Sequence, residues 1–285
     1  MAEGVITGAV AAVLICLVLA VRDGHRFVTV TYKIRSDKIK KPCRMALLSD
    51  LHNMSFGMEN EKLLGRIREL SPDVVLVAGD MLTAEKGQGF ETALHVMKRL
   101  AADYKVYYGL GNHEQKIMLH PEDYPGIYEG YLAGLKEAGL RPLVNESVYL
   151  PEWNIAVCGA LIDGCFFKRL RKKGMEAGYL TGLLGKPQEG VFRLLIAHNP
   201  DYFEDYAKWG ADLVVSGHVH GGIMRLPLLG GVLSPNFTLF PKYDGGMFSR
   251  GKSTMILSRG LGSHTIPLRF FNPGELVVIE LVPDR

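Results

Sequence analysis

The chain has 285 residues, 47% of them hydrophobic and 22% charged, with a formal net charge of +3 at pH 7. That balance excludes a disordered chain, and the length suits one large domain or two small ones. The four cysteines (Cys16, Cys43, Cys158 and Cys165) are too scattered for a disulfide framework or a zinc ribbon.

Residues 5–21 (VITGAVAAVLICLVLAV) carry no charge, which is the short end of what crosses a bilayer as a helix. Only Glu3 is charged before the run, against the basic start of a cleaved signal peptide. Ile15 before Cys16 is too bulky for a lipoprotein signal. Arg22, Arg26, Lys33, Arg35, Lys38, Lys40 and Lys41 all follow the run, and residues 42–285 are close to neutral. We therefore expect a transmembrane anchor over residues 1–21, a basic juxtamembrane segment with a first strand over 22–42, and one domain over 43–285. The flanking charge makes this a single-pass cell-membrane protein with its domain on the cytoplasmic side. A near-neutral domain carries no sign of a nucleic-acid partner.

After the alternating strand RFVTVTYKI (residues 26–34) come five short apolar runs: MALLSDLH, VVLVAGD, VYYGLGNHE, LLIAHNP and LVVSGHVH. Each breaks into Gly, Ser, Asn or Asp with a His or Asp attached. Helical spacing lies between them, in Leu63, Leu64, Ile67 and Leu70, ended by Ser71-Pro72, then in Phe90, Leu94, Met97 and Leu100, and in Tyr131, Leu132, Leu135 and Ala138. Strand alternating with helix predicts an α/β domain whose loops converge at one end of the strands. Residues 222–251, Gly- and Pro-rich with Leu226, Leu228, Leu229, Phe237, Phe240 and Tyr243, read as a long irregular loop of the kind that is commonly functional.

Taken singly, the polar breaks are unremarkable. Asp50 and His52 pass for a cap beside a satisfied histidine, Gly79-Asp80 for a turn, and His198 for a core histidine. The bland explanation must hold five times at the same structural position, including Gly111-Asn112-His113-Glu114 and Gly217-His218-Val219-His220, and it fails jointly. Two carboxylates, one amide and four imidazoles without a thiolate suit Mn, Zn, Fe or Co. Seven such ligands exceed one tetrahedral ion and fit two divalent ions sharing a carboxylate. Such a pair acidifies a bridging water and clamps an in-line displacement. A Walker A loop, a zincin helix and a nucleophile elbow are all missing from the sequence.

The motif set, in this order over residues 50–220, closely resembles the calcineurin-like metallophosphoesterase superfamily. The stretches AHNPDYFEDYAKWGADLVVSGHVHGG and SRGLGSHTIPLRFFNPGELVVIEL are similar to its membrane-anchored bacterial phosphodiesterase branch, some members of which cleave the pyrophosphate of UDP-2,3-diacylglucosamine. The resemblance implies a four-layer αββα sandwich with the metals at one edge. It implies that Asp50, His52 and His220 hold one ion, that Asn112, His198 and His218 hold the other, and that Asp80 bridges. His113 would be the general acid or a phosphate contact, oriented by Glu114. One departure is Met81-Leu82-Thr83, which stands where many relatives have a second acidic residue.

The expected activity is a metal-dependent phosphohydrolase, foremost a phosphodiesterase, on a lipid- or nucleotide-linked phosphate ester. The basic run Lys168–Lys173 after Phe166-Phe167 reads first as a solvated helix face, with contact to anionic head groups as its functional alternative. The alternatives are a protein or monoester phosphatase of the same chemistry, or a non-catalytic membrane-bound scaffold. The complete ligand set argues against the scaffold.

Overall fold

A computed structural model describes residues 2–168, 173–222, 224–226, 230–233, 239–263 and 269–284, with only the backbone of 2–6, 9, 12, 13, 15 and 233. Arg169, Leu170, Arg171 and Lys172 of the basic run lie outside the described residues, as do Leu228, Leu229 and Phe237 of the apolar segment.

The chain opens with helix α1 (Ala2–Gly24) and strands β1 (Phe27–Ser36) and β2 (Cys43–Leu48). Helix and strand then alternate through α2 (Glu61–Leu70), β3 (Val74–Ala78), α3 (Glu91–Asp103), β4 (Lys105–Gly109), α4 (Asn112–Leu119) and α5 (Ile127–Glu137). The second half runs β5 (Glu146–Leu150), β6 (Ile155–Ala160), α6 (Tyr179–Leu184), β7 (Phe192–Ala197), α7 (Phe203–Trp209) and β8 (Leu213–Ser216). It closes with β9 (Met224–Leu226), β10 (Gly230–Leu233), β11 (Gly246–Arg250), β12 (Ser253–Leu257) and β13 (Gly274–Pro283).

Two mixed sheets form, in the orders β1-β13-β2-β3-β4 and β11-β12-β8-β7-β6-β5. Side-chain alternation along each buried strand divides them among three cores. On β2, Met45 and Leu47 face the second sheet while Ala46 and Leu48 face the helices; on β7, Leu194 and Ile196 point inward while Leu195 points out. Helices α2, α3 and α5 cover the first sheet through Leu63, Ile67, Val96, Met97, Tyr131 and Leu135. Leu180 of α6, with Phe203 and Tyr206 of α7, covers the second. The layers are therefore helix, sheet, sheet, helix. As expected, α2 stops at Ser71, which takes left-handed backbone (φ 45°) before Pro72.

Two expectations change. Residues 222–251 are not one irregular loop: they contain β11 and the antiparallel hairpin of β9 with β10. Asp244 joins the two strands: its carboxylate accepts the Gly231 N–H of β10 and lies 3.2 Å from Arg225 Nη1 of β9. Tyr243 is a core residue against Phe203 and Phe248. At the other end, α1 covers the uncharged run, yet among the described residues no helix is long and apolar enough to cross a membrane. The side chains of Val5, Ile6, Ala9, Ala12, Val13 and Ile15 are not among those described, so the spanning role of residues 5–21 rests on the sequence alone.

Candidate metal centre

Asp50 and His52 follow β2, Asp80 follows β3, Asn112 and His113 open α4 after β4, His198 follows β7, and His218 and His220 follow β8. Backbone bonds lock these loops in pairs. Asp50 N–H donates to Gly79 O at 2.9 Å, His52 N–H to Asp80 O at 3.1 Å, and Gly217 N–H to His198 O at 3.1 Å. The turns force Asp50, His52, Asp80, His218 and His220 into left-handed backbone, with φ between 50° and 76°. Each such residue costs about 1–3 kcal/mol and persists where its surroundings over-determine it.

The side chains meet in overlapping sets. Ligand atoms of Asp50, His52 and His220 lie within 4.8 Å of one another, and so do those of Asp80, His198 and His218. Asp80 also groups with His52 and His113, so it stands between the two sets. His52 Nε2 is 3.2 Å from His220 Nε2, and His198 Nε2 is 2.9 Å from Asp80 Oδ2. The second pair lacks the alignment of a hydrogen bond and is an electrostatic contact.

Three of the histidines are aimed from behind. The Nδ1 of His52 faces Leu82 O at 3.1 Å, that of His220 faces Gly262 O at 3.1 Å, and that of His198 faces Ala78 O at 2.6 Å. A carbonyl can only accept, so the Nδ1 of His52 and of His198 carries a proton and its Nε2 faces the cluster, the arrangement that orients metal-binding imidazoles.

Both carboxylates are buried and hydrogen-bonded, Asp50 on both oxygens and Asp80 on Oδ1. Asp50 accepts the His218 N–H at 2.9 Å and the Ser49 hydroxyl. Burial raises its pKa against the pull of His198. Asp80 accepts the His113 N–H at 2.8 Å. Burial opposes its charge too, but His198, His113 and His52 outweigh burial and hold its carboxyl well below the usual range. Two buried atoms, Asn112 Oδ1 and His198 Nε2, have no hydrogen-bond partner. Buried polar atoms are rarely left so, and a cation satisfies both. The donor set therefore fits hard or borderline divalent ions.

Glu114, expected to orient His113, accepts instead from the N–H groups of Asp80, Leu82 and Gly111, each at 2.9 Å. It staples the β3 and β4 loops together. His113 is oriented by the Ala84 N–H, which donates to its Nδ1 at 2.8 Å.

Sequence reasoning missed a second group. Asn272 Nδ2 donates to His220 O and Gly222 O, both at 2.7 Å, and fixes the turn that carries His220. The buried Arg269 guanidinium binds the Gly260–Gly262 backbone and lies 3.4 Å from His220 Nδ1. Gly262 N–H in turn donates to Asp50 O at 2.7 Å. Both residues lie in the stretch SRGLGSHTIPLRFFNPGELVVIEL, in which no metal motif falls.

Residues 43–222 match the family model of the calcineurin-like phosphoesterases. The chain belongs to that family. This phosphoesterase is 30% identical over 256 residues to an uncharacterised metallophosphoesterase of Helicobacter pylori, covering 87% of this chain and 62% of that protein. It is 27% identical to phosphodiesterase YaeI of Escherichia coli, over 85% of this chain and 83% of that one. A Danio rerio transmembrane protein with a metallophosphoesterase domain is 28% identical, over 84% of this chain and 53% of the relative. The chain thus spans less than two thirds of the Helicobacter and Danio proteins. Family and side-chain clusters together make it a hydrolase of phosphoric ester bonds with a binuclear divalent-metal site.

Proposed function

We propose that the chain is a phosphodiesterase in which Asp50, His52 and His220 hold one ion, Asn112, His198 and His218 hold the other, and Asp80 is shared. Two divalent ions, when bound, supply a hydroxide nucleophile and neutralise phosphoryl charge. The grouping of the buried Asp80 with His198 and His218 on one side and with His52 on the other carries the proposal. The name of the Escherichia coli relative supports the diester preference.

The substrate we favour is a lipid- or nucleotide-linked phosphate ester at a bilayer. Its support is the short path from α1 to the ligands. Gly274 N–H donates to Arg26 O, Glu275 N–H donates to Gly260 O, and Gly262 N–H donates to Asp50 O. On α1, Val10, Leu14, Leu17, Val18 and Val21 are exposed, as are Leu239, Phe240 and Phe271 in the body. Apolar side chains without cover fit an anchor in lipid, and the basic residues after it favour the cytoplasmic side.

The test is metal analysis with turnover of bis-p-nitrophenyl phosphate against p-nitrophenyl phosphate. Two ions per chain and faster diester cleavage are expected. Faster monoester cleavage favours a phosphatase, and bound metal without turnover of either favours a scaffold. Protease added outside intact cells is expected to leave residues 42–285 whole; their digestion overturns the sidedness.

A further inference from the structure

We propose that Phe167 selects diesters over monoesters, by setting a wall of carbon beside the metal centre where a monoester would place its extra charged oxygen. This rests on the phosphodiesterase reading of the site and names the residue that imposes the preference.

The Phe167 ring lies edge-on to His218 with centroids 5.3 Å apart, and its centroid is 6.3 Å from that of His198. The two imidazoles are themselves edge-on at 5.3 Å. Phe167 therefore stands against the set that groups Asp80 with His198 and His218. It offers no ligand atom, and it is only part-buried. Filling the core is the task of its neighbour: Phe166 is buried, edge-on to Tyr179 and to Tyr202 with centroids 5.1 and 5.0 Å away.

Polar groups hold the ring in place. The short turn Gly164–Phe167 follows β6, away from every metal motif in the sequence. Asn199, which adjoins His198, donates from Nδ2 to Phe166 O at 3.1 Å. Gln115, on the helix that opens at Asn112, donates from Nε2 to Ile162 O at 2.8 Å. The Tyr179 hydroxyl accepts the Asp163 N–H at 3.0 Å. Asn199 and Gln115 are both buried. A buried amide is stable only with its hydrogen bonds made, and here two of them tie a turn without a ligand to the loop of His198 and to the helix of Asn112. The side chain that the turn holds against the imidazoles is Phe167.

A diester and a monoester on the same ions differ at one phosphoryl oxygen. In the diester that oxygen carries an organic group; in the monoester it carries negative charge. Carbon at that point favours the organic group, because apolar surface leaves water. It disfavours the charged oxygen, which loses water and gains no donor. An alkyl and an aromatic ester group both gain from the wall, and ring-on-ring contact adds to the aromatic one.

The test compares the full-length enzyme with Phe167→Ala and Phe167→Leu on bis-p-nitrophenyl phosphate, methyl p-nitrophenyl phosphate and p-nitrophenyl phosphate. The leaving group is the same in all three, and only the other oxygen changes. In Phe167→Ala the KM for the bis-aryl diester is expected to rise about tenfold, the scale of one aromatic contact, with kcat little changed. The methyl diester should lose less, and the monoester should bind no more weakly than before. Phe167→Leu keeps carbon at the wall and should keep most of the diester preference. Binding without turnover gives a second readout: diphenyl phosphate should bind Phe167→Ala about tenfold more weakly, and inorganic phosphate should not. Dibutyl phosphate names the ligand: a loss equal to that of diphenyl phosphate fits an alkyl group, a smaller loss an aromatic one. Diester and monoester KM that shift together, or an ion lost from Phe167→Ala, overturn the proposal, since Phe167 then only braces His218. A diester preference that survives in Phe167→Ala removes Phe167 and leaves the phosphodiesterase reading standing. A wild-type enzyme that prefers the monoester overturns that reading itself.

Discussion

Asp80→Asn is expected to strip both ions and to slow phosphodiester turnover by about 10³-fold, because several kcal/mol of charge stabilisation leave the transition state together. The substitution keeps the shape of the side chain. Asparagine also tolerates left-handed backbone, so the φ of 53° at this position persists and the fold survives. What changes is the charge that His198, His113 and His52 surround. Metal content measured after dialysis at limiting Mn²⁺ should fall with activity, and near-normal turnover in that variant removes Asp80 from between the ions. The control is Asp163→Ala. Asp163 accepts the Cys165 N–H at 2.7 Å and caps the short turn Gly164–Phe167; it is exposed and belongs to no ligand set, although Phe167 of that turn lies edge-on to His218 with centroids 5.3 Å apart. Its loss should cost about 1 kcal/mol of stability, the usual worth of a cap, and leave the metal in place.

The second large effect comes from two glycines that wall in the carboxylates. A Cβ on Gly111 would strike Asp80 through both its Oδ1 and its backbone N, and a Cβ on Gly217 would strike Ser49 Oγ and Asp50 Oδ2. Neither carboxylate has room to retreat, since each is already held by backbone N–H groups. Gly111→Ala is therefore expected to lose both ions and Gly217→Ala to lose the ion on the Asp50 side, each at about 1–3 kcal/mol of overpacking strain. In the double variant Ser49→Ala/Gly217→Ala, the hydroxyl clash disappears while the carboxylate clash stays. Thermal unfolding should recover in part and metal content should not. Full metal occupancy in Gly217→Ala would show that Asp50 is free to move.

The part of the site that was legible in the sequence is the part built from short, local signals. An apolar run that breaks into Gly, Ser, Asn or Asp with a His or Asp attached is a strand followed by a loop. Five such runs became β2, β3, β4, β7 and β8, carrying the expected side chains. The helices were legible because Leu63, Leu64 and Ile67, or Met97 and Leu100, recur at helical spacing and are buried for that reason. What stayed hidden depends on pairing across long stretches of chain. Nothing local in GELVVIELVP says that it lies between β1 and β2, parallel to one and antiparallel to the other. Nothing local in Arg269 or Asn272 points to His220. Glu114 adjoins His113 in sequence, and its bonds to the amides of Asp80 and Leu82, far off along the chain, had no local signal.

The place of β13 sets a timetable for synthesis. β2 is complete at Leu48, but the strand that separates it from β1 begins only at Gly274. At translation rates of about 5–20 residues per second, β2 waits on the order of ten to forty seconds for its neighbour. Over that time Met45 and Leu47, fully buried at the end, have half their cover missing. The Gly260–Gly262 loop that grips Asp50 also arrives late. A nascent chain can therefore pair β2 with β3 and β4 early, yet it has no finished metal site to load until the Gly260–Gly262 loop and β13 have been made. Ion capture then belongs after translation, and a chain cut before Gly274 leaves the ribosome with an open sheet edge for chaperones and proteases to find.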